Sequence, residues 1–245
     1  MSTKNPSDKP DNTKNKCILN PDVVKTIIEN YKQFILSVQN EAQIKATGLL
    51  ETRDILIREL QEKFGHISYI RQVCIDEHHL ISHSINVASL AIVVGTKIGL
   101  RQDDLKNLAL AGLVHDVGKI KIPYQIILKH GQLNPKEFEL YKLHVPLGFK
   151  IARDELKIDP IICRVIIEHH ERNDGTGYPR GITEYDLHDY SKIIGVIDTF
   201  DLSINASINK RPLSVGEIAK ELLSSGNKFS PQPLHTIVHM LRYSP

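Results

Sequence analysis

Residues 113–123 read Leu-Val-His-Asp-Val-Gly-Lys-Ile-Lys-Ile-Pro. A helical run from Asp103 to His115 ends here on an adjacent histidine and aspartate. At a helix end, His115 and Asp116 can reach one metal region together. The imidazole gives one nitrogen to one ion, and the carboxylate has two oxygens with which to bridge two. Lys119 lies one turn beyond His115 and projects to the same side. An ammonium beside a cationic site is repelled unless an anion sits between them, and a phosphate is such an anion. Gly118 keeps the turn open for close approach. Alone, a His-Asp pair is most often only a favourable histidine at a helix C-terminus.

Working outward changes that weighting. His83 lies upstream; His144, the pair His169-His170, and Asp198 lie downstream, each about one helical hairpin apart. Neutral imidazoles and carboxylates are the usual ligands of hydrolytic transition metals. Seven such groups exceed the need of one ion and point to two. Asp198 falls in the apolar stretch Ile193–Asp198, where a carboxylate is costly unless paired or bound to metal. Neighbours on a helix point roughly 100° apart, so His169 and His170 suit two ions, or one ion and one ligand, better than a single ion. Glu168 and Glu171 flank that pair, and either is placed to orient an imidazole. His66, His130, His188, His235 and His239 fall outside the pattern and read as surface or satisfied histidines.

The rest of the chain reads as helix after helix. Asn20-Pro21 supplies an N-cap with proline at the first helical position. Val23 to Val38 follow at helical spacing, and a second amphipathic run carries Ile44, Leu49, Leu56, Leu60 and Phe64, with Gly65 as its stop. Residues 20–66 thus form a small helical N-terminal region with no catalytic cluster, open to a sensory, dimerising or partner-binding role. Residues 67–245 form the second unit. In it, Asn134 and Glu137 make a capping box, Pro146 and Pro160 open helices, and Asp189–Asn205 and Ser214–Ser224 follow. Period-2 alternation is scarce, so the expected class is all-α, a helical bundle.

Composition excludes several classes. Of 245 residues, 41% are apolar and 24% charged, ordinary for a globular protein. There is no long charge-free apolar run and no apolar core of a signal peptide. Residues 1–19 are polar and rich in Pro, Asn and Lys, the composition of a disordered tail. The net charge of +2 arises in the first twenty residues, with four Lys against two Asp. Nothing therefore argues for a nucleic-acid duplex or a membrane as partner. Cys17, Cys74 and Cys163 are odd in number and far apart, as expected of free thiols in a reducing, cytoplasmic setting.

Five ordered segments resemble the HD-GYP family, a branch of the HD phosphohydrolases. They are HSINVA (83–88), LVHDVGKIKIP (113–123), ILKHGQLNPKEFELYKLHVPLG (127–148), HHERNDGTGYPRGI (169–182) and IIGVIDTFD (193–201). The resemblance implies an all-helical HD-type bundle with a pair or trio of bound metals, commonly iron or manganese. The implied activity is hydrolysis of cyclic di-GMP to pGpG and often on to GMP. Carried over, the metal ligands are His83, His115, Asp116, His144, His169, His170 and Asp198, with Asp116 also catalytic. Lys119 would meet the substrate phosphate, and Tyr178 of Gly177-Tyr178-Pro179 a base or phosphate. The same loop is implied as a partner-docking surface, and a homodimer is compatible with the N-terminal helices.

Three departures stand out, the first bearing on a third metal and the other two on the substrate side. His79 stands where members with a third metal carry glutamate, Asn205–Ile208 reads as an insertion, and Leu213 follows Arg211-Pro212 where a tyrosine is usual. Arg211 still has the charge to grip phosphate or guanine. Two rival readings follow: an HD hydrolase of another nucleotide, and a cyclic-di-GMP sensor or scaffold with little catalysis. A structural zinc protein is the bland alternative, opposed by open ligand positions and scarce cysteine.

Overall fold

The computed structural model describes residues 19–40, 46–62, 79–129, 131–205 and 215–242. The first helix, α1 (Pro21–Gln39), starts as its sequence requires: Asn20 Oδ1 accepts from the Asp22 amide at 2.9 Å, and Pro21 occupies the first turn. It buries Ile27, Tyr31, Phe34, Ile35 and Val38, a single stripe at helical spacing. With α2 (Thr47–Glu62) it joins the same apolar core as the rest of the chain. The Tyr31 hydroxyl donates to the Leu113 carbonyl, two residues before His115. The N-terminal helices therefore buttress the helix that delivers the metal-ligand candidates. Leu19, the last residue of the polar tail, is itself buried, at the position where an apolar residue commonly packs back on a capped helix. Residues 1–18 and Gly65 lie outside the described residues.

The central element is α3 (His79–Lys97), buried from His83 to Gly95 without interruption. Among the described helices it alone is long and apolar enough to cross a membrane, but most of that apolar surface is already covered by the fold. It packs along α4 (Gln102–Val114), which His115 caps. A 3₁₀ turn, Val117–Lys121, leads to the short α5 (Tyr124–Ile127) and then α6 (Pro135–Lys142). The expected capping box is present: Glu137 N donates to Asn134 Oδ1 at 3.0 Å, and Asn134 N donates to Glu137 Oε2 at 2.8 Å.

Next, α7 (His144–Lys150) runs into a π-helical turn at Ile151–Glu155. It begins two residues before Pro146, which sits within the first turn, where a missing N–H leaves no hydrogen bond unmade. Asp159 caps α8 (Pro160–Glu168), accepting from the Ile161 amide at 2.8 Å. The chain closes with α9 (Asp189–Asn205), α10 (Val215–Ser224) and α11 (Pro231–Arg242). Among the described residues there is no strand, only an isolated bridge between Asp174 and Thr183, so the class is all-α.

Candidate metal centre

Five helices aim polar side chains at one interior point. His83 comes from the second turn of α3, His115 and Asp116 from the end of α4, and His144 from the first position of α7. His169 and His170 follow α8, and Asp198 lies within α9. All seven are buried, none more than 8% exposed. They divide into two sets that share Asp116: His83, His115, Asp116 and Asp198 in one, and Asp116, His144, His169 and His170 in the other. Within each set one ligand atom per residue lies within 4.8 Å of the others.

The two oxygens of Asp116 face different sets. Oδ2 lies 3.3 Å from Nε2 of both His83 and His115, while Oδ1 lies 3.3 Å from His144 Nε2 and 3.7 Å from His169 Nε2. Asp198 Oδ1 completes the first set, 3.1 Å from His83 Nε2. His169 and His170 join one set, contrary to the expectation from helical geometry. The pair stands at the end of α8, with His169 as its C-cap.

Tautomers are fixed from outside the centre. A carbonyl oxygen can only accept, so Nδ1 of His115, His144 and His169 must donate to Gly112 O (2.8 Å), Tyr141 O (2.6 Å) and Ile166 O (2.8 Å). His83 Nδ1 lies 2.7 Å from Asp201 Oδ2. His144 and His169 thus present the Nε2 lone pair inward, the form a metal needs, and His83 and His115 would do so on giving up their Nε2 protons to a bound cation. Glu168 and Glu171, expected to orient imidazoles, do not. Glu168 accepts from Arg164 Nε (2.7 Å), Arg180 Nη2 (2.8 Å), the His188 amide (3.1 Å) and Ser191 Oγ (2.8 Å). Glu171 accepts from the amides of Arg180 (2.6 Å) and Ile182 (3.2 Å). The rings find their partners in carbonyls one turn back, which frees both glutamates to fasten the segment after Tyr178.

Asp201 is the residue that the sequence reading passed over, although it lies three positions after Asp198 on the same helical face. Removing such an outer carboxylate typically costs 10–100-fold in metal affinity. Asp201→Ala should weaken metal binding by about that factor, about tenfold or more, in a competitive chelator titration. Unchanged affinity would show that the contact is merely structural.

The protonation pattern suits cations. Burial alone would raise the carboxyls of Asp116 and Asp198, but Lys119 and His115 around the first, and His115 and His83 around the second, hold both well below the usual carboxylate range. Burial pushes His144 down to about 3 and lowers His169 and His170, so these three imidazoles stay neutral. His83 and His115 go up instead: burial opposes their charge, but the carboxylates beside them outweigh it. A bound cation would take over that role. The residues fit such an ion. Asp116 Oδ1, both oxygens of Asp198, and Nε2 of His144, His169 and His170 are buried with no hydrogen-bond partner, a costly state unless something binds them.

Around this core stand the remaining candidates. Lys119 Nζ contacts Asp116 Oδ2, so the anion beside the ammonium here is the aspartate. Burial would lower its pKa, but Asp116 outweighs this and raises it, keeping the side chain charged. The Tyr178 ring stacks on His170, with centroids 4.6 Å apart and planes at 27°. In the preceding loop Asp174 Oδ1 accepts from the Thr176 amide at 3.0 Å. Gly175 has φ +77°, whereas Gly177 is needed for space: a Cβ there would lie 2.4 Å from Arg172 N and Glu171 Cα. His79 stacks on His83 at 5.9 Å and belongs to neither set. Arg211, with the segment 206–214, lies outside the described residues. A separate cleft of about 750 Å³ opens between Phe149, Arg164 and Ile182, and none of the seven ligand candidates lines it.

Comparison with known proteins agrees with this architecture. The family model described as HD domain matches residues 68–232, more than half the chain. The chain belongs to this family, and Gly177-Tyr178-Pro179 places it in the HD-GYP branch. A cyclic di-GMP phosphodiesterase of Thermotoga maritima is 34% identical over 160 residues, covering 64% of this chain and 44% of that protein. A 3'3'-cGAMP-specific phosphodiesterase of Vibrio cholerae is 33% identical over 136 residues, covering 56% of this chain and 31% of that protein. The chain thus spans less than half the length of these relatives. Among solved structures, the HD-GYP-type protein Bd1817 of Bdellovibrio bacteriovorus superposes with a TM-score of 0.69 over 95% of this chain and 74% of its own. At 19% identity that likeness is one of fold.

Proposed function

We propose that this centre binds two divalent cations through His83, His115, Asp116, His144, His169, His170 and Asp198, and hydrolyses one phosphodiester bond of cyclic di-GMP to give pGpG, with GMP as the product of a second cleavage. The observation that carries the reading is Asp116, whose two oxygens each face a separate set of imidazoles. Nitrogen and oxygen donors without thiolate suit iron or manganese. Two such ions, when bound, supply Lewis acidity at phosphorus and bring the pKa of water toward neutrality.

The protein's own groups do the rest. Asp116 and Asp198 are already ionised, so no proton must leave them when cations arrive. The outer contacts to Gly112, Tyr141, Ile166 and Asp201 hold the rings in place, so little reorganisation is needed. Lys119 is held charged and projects from the 3₁₀ turn beside Tyr141, its Nζ 5.4 Å from that ring. There it donates to the non-bridging phosphate oxygens as their charge grows. Tyr178 covers His170 and keeps water from that side. Pro179 and Arg180, exposed at the end of the same loop, form the surface we assign to a protein partner.

Anaerobic metal analysis coupled to product chromatography tests the reading. It requires two metals per chain, and linear product from cyclic di-GMP that His115→Ala does not form. Lys119→Ala should keep both metals and lose about 10²–10³ in kcat, the usual cost of one preorganised donor. A normal kcat would remove Lys119 from the chemistry.

A further inference from the structure

We infer that α6 carries the base-recognition face of this centre: Phe138 is the stacking surface for a purine, and Lys142 is the donor that prefers guanine to adenine. The inference rests on the cyclic-dinucleotide reading above and gives that substrate its handle.

No residue of α6 is fully buried, so its aromatic side chains are not there to fill a core. Phe138 is 40% exposed, yet it stands in a closed circuit of rings that begins and ends on metal-ligand candidates. It meets Tyr178 edge-on at 5.9 Å (82°), and Tyr178 stacks on His170. On its other side it lies nearly parallel to Tyr141 at 6.4 Å (13°), and Tyr141 contacts His144 at 4.8 Å. A nucleotide with its phosphate at the centre must project its base outward past these rings. An exposed aromatic face offers such a base about 1–3 kcal/mol of stacking, or roughly five- to 100-fold.

Stacking does not tell one purine from another, but Lys142 can. Its Nζ lies over both rings, 5.2 Å from the Phe138 centroid and 5.9 Å from that of Tyr178, where it meets a base that enters against the platform. An ion pair with Glu139 Oε1, at 2.6 Å, holds the ammonium there. Guanine turns two acceptors, O6 and N7, toward such a donor. Adenine replaces O6 with an amino group, which repels it.

The test is calorimetry on the metal-loaded chain with bisphosphorothioate analogues of cyclic di-GMP and cyclic di-AMP, which resist hydrolysis. The parent chain should bind the guanine analogue more tightly. Lys142→Met should shrink that preference by about tenfold, chiefly by weakening the guanine complex. Phe138→Leu should weaken both analogues by about tenfold and leave their ratio unchanged. A general folding defect would lower both affinities in Lys142→Met alike and would not move the ratio. Either variant binding both analogues as the parent does would overturn the inference, as would a parent chain that binds neither. If the binding pattern holds but native cyclic di-GMP is not cleaved, the phosphodiesterase reading fails and the recognition face stands.

Discussion

Asp116→Ala is expected to empty both metal positions at once. Elemental analysis should fall from two metals per chain to none, and turnover should drop by at least about 10³-fold. The two oxygens of Asp116 divide the labour. Oδ2 belongs with His83 and His115, and Oδ1 with His144 and His169. Among the described residues Asp116 is the one carboxylate grouped with His144, His169 and His170, Asp198 Oδ2 coming no closer than 3.8 Å to His170 Nδ1. Without it, a dication would face uncharged ligands alone and keep its full charge in a buried site. The other set would keep Asp198 but lose half its negative charge. His144→Ala is the contrasting case, since it touches only one set and should leave one metal. If Asp116→Ala retains one equivalent, the two sets do not share this residue.

Gly118→Ala should damage the fold and the centre together. A Cβ at Gly118 would lie 1.9 Å from the His144 carbonyl oxygen, 2.5 Å from Gly148 N and 2.9 Å from Gly148 Cα. All three are backbone atoms, so no side chain can swing aside. Relief requires α7 to retreat from the 3₁₀ turn by about 1.5 Å to reach ordinary contact. Because α7 begins with His144, that retreat pulls a ligand candidate away from Asp116. We expect at least about 3 kcal/mol of destabilisation, the upper end for overpacking. The metal facing His144 should be lost preferentially. Urea unfolding together with metal content measures both. Gly148→Ala, whose Cβ would meet Gly118 N at 3.1 Å and Ile166 Cγ2 at 3.2 Å, should be much milder. A Gly118→Ala chain with parental stability would mean that the turn and α7 are not held this tightly.

Much of this was legible because local chemistry dictated it. The Asn20 and Asn134 caps are written in side chains that satisfy orphan amides, and each begins the helix its residue type requires, as Pro160 does at the first position of α8. The seven ligand candidates were visible because imidazole and carboxylate in apolar surroundings need a reason to be there. What escaped reading was set by distance in sequence. An amphipathic stripe shows that α1 buries one face, but not that Tyr31 reaches the Leu113 carbonyl. Glu168 and Glu171 sit beside the histidine pair in the chain, yet their partners come from residues 164–191 and lie away from the rings. Asp201 pairs with His83 across more than a hundred residues, and only its three-residue offset from Asp198 hinted at a shared direction.

Anomalous diffraction from crystals grown anaerobically with iron or manganese tests the central claim most directly. The account requires two peaks about 3.5–4 Å apart, one within bonding distance of each Asp116 oxygen. One of them should be ringed by His83, His115 and Asp198, and the other by His144, His169 and His170. A single peak, or two peaks that do not share Asp116, would contradict it.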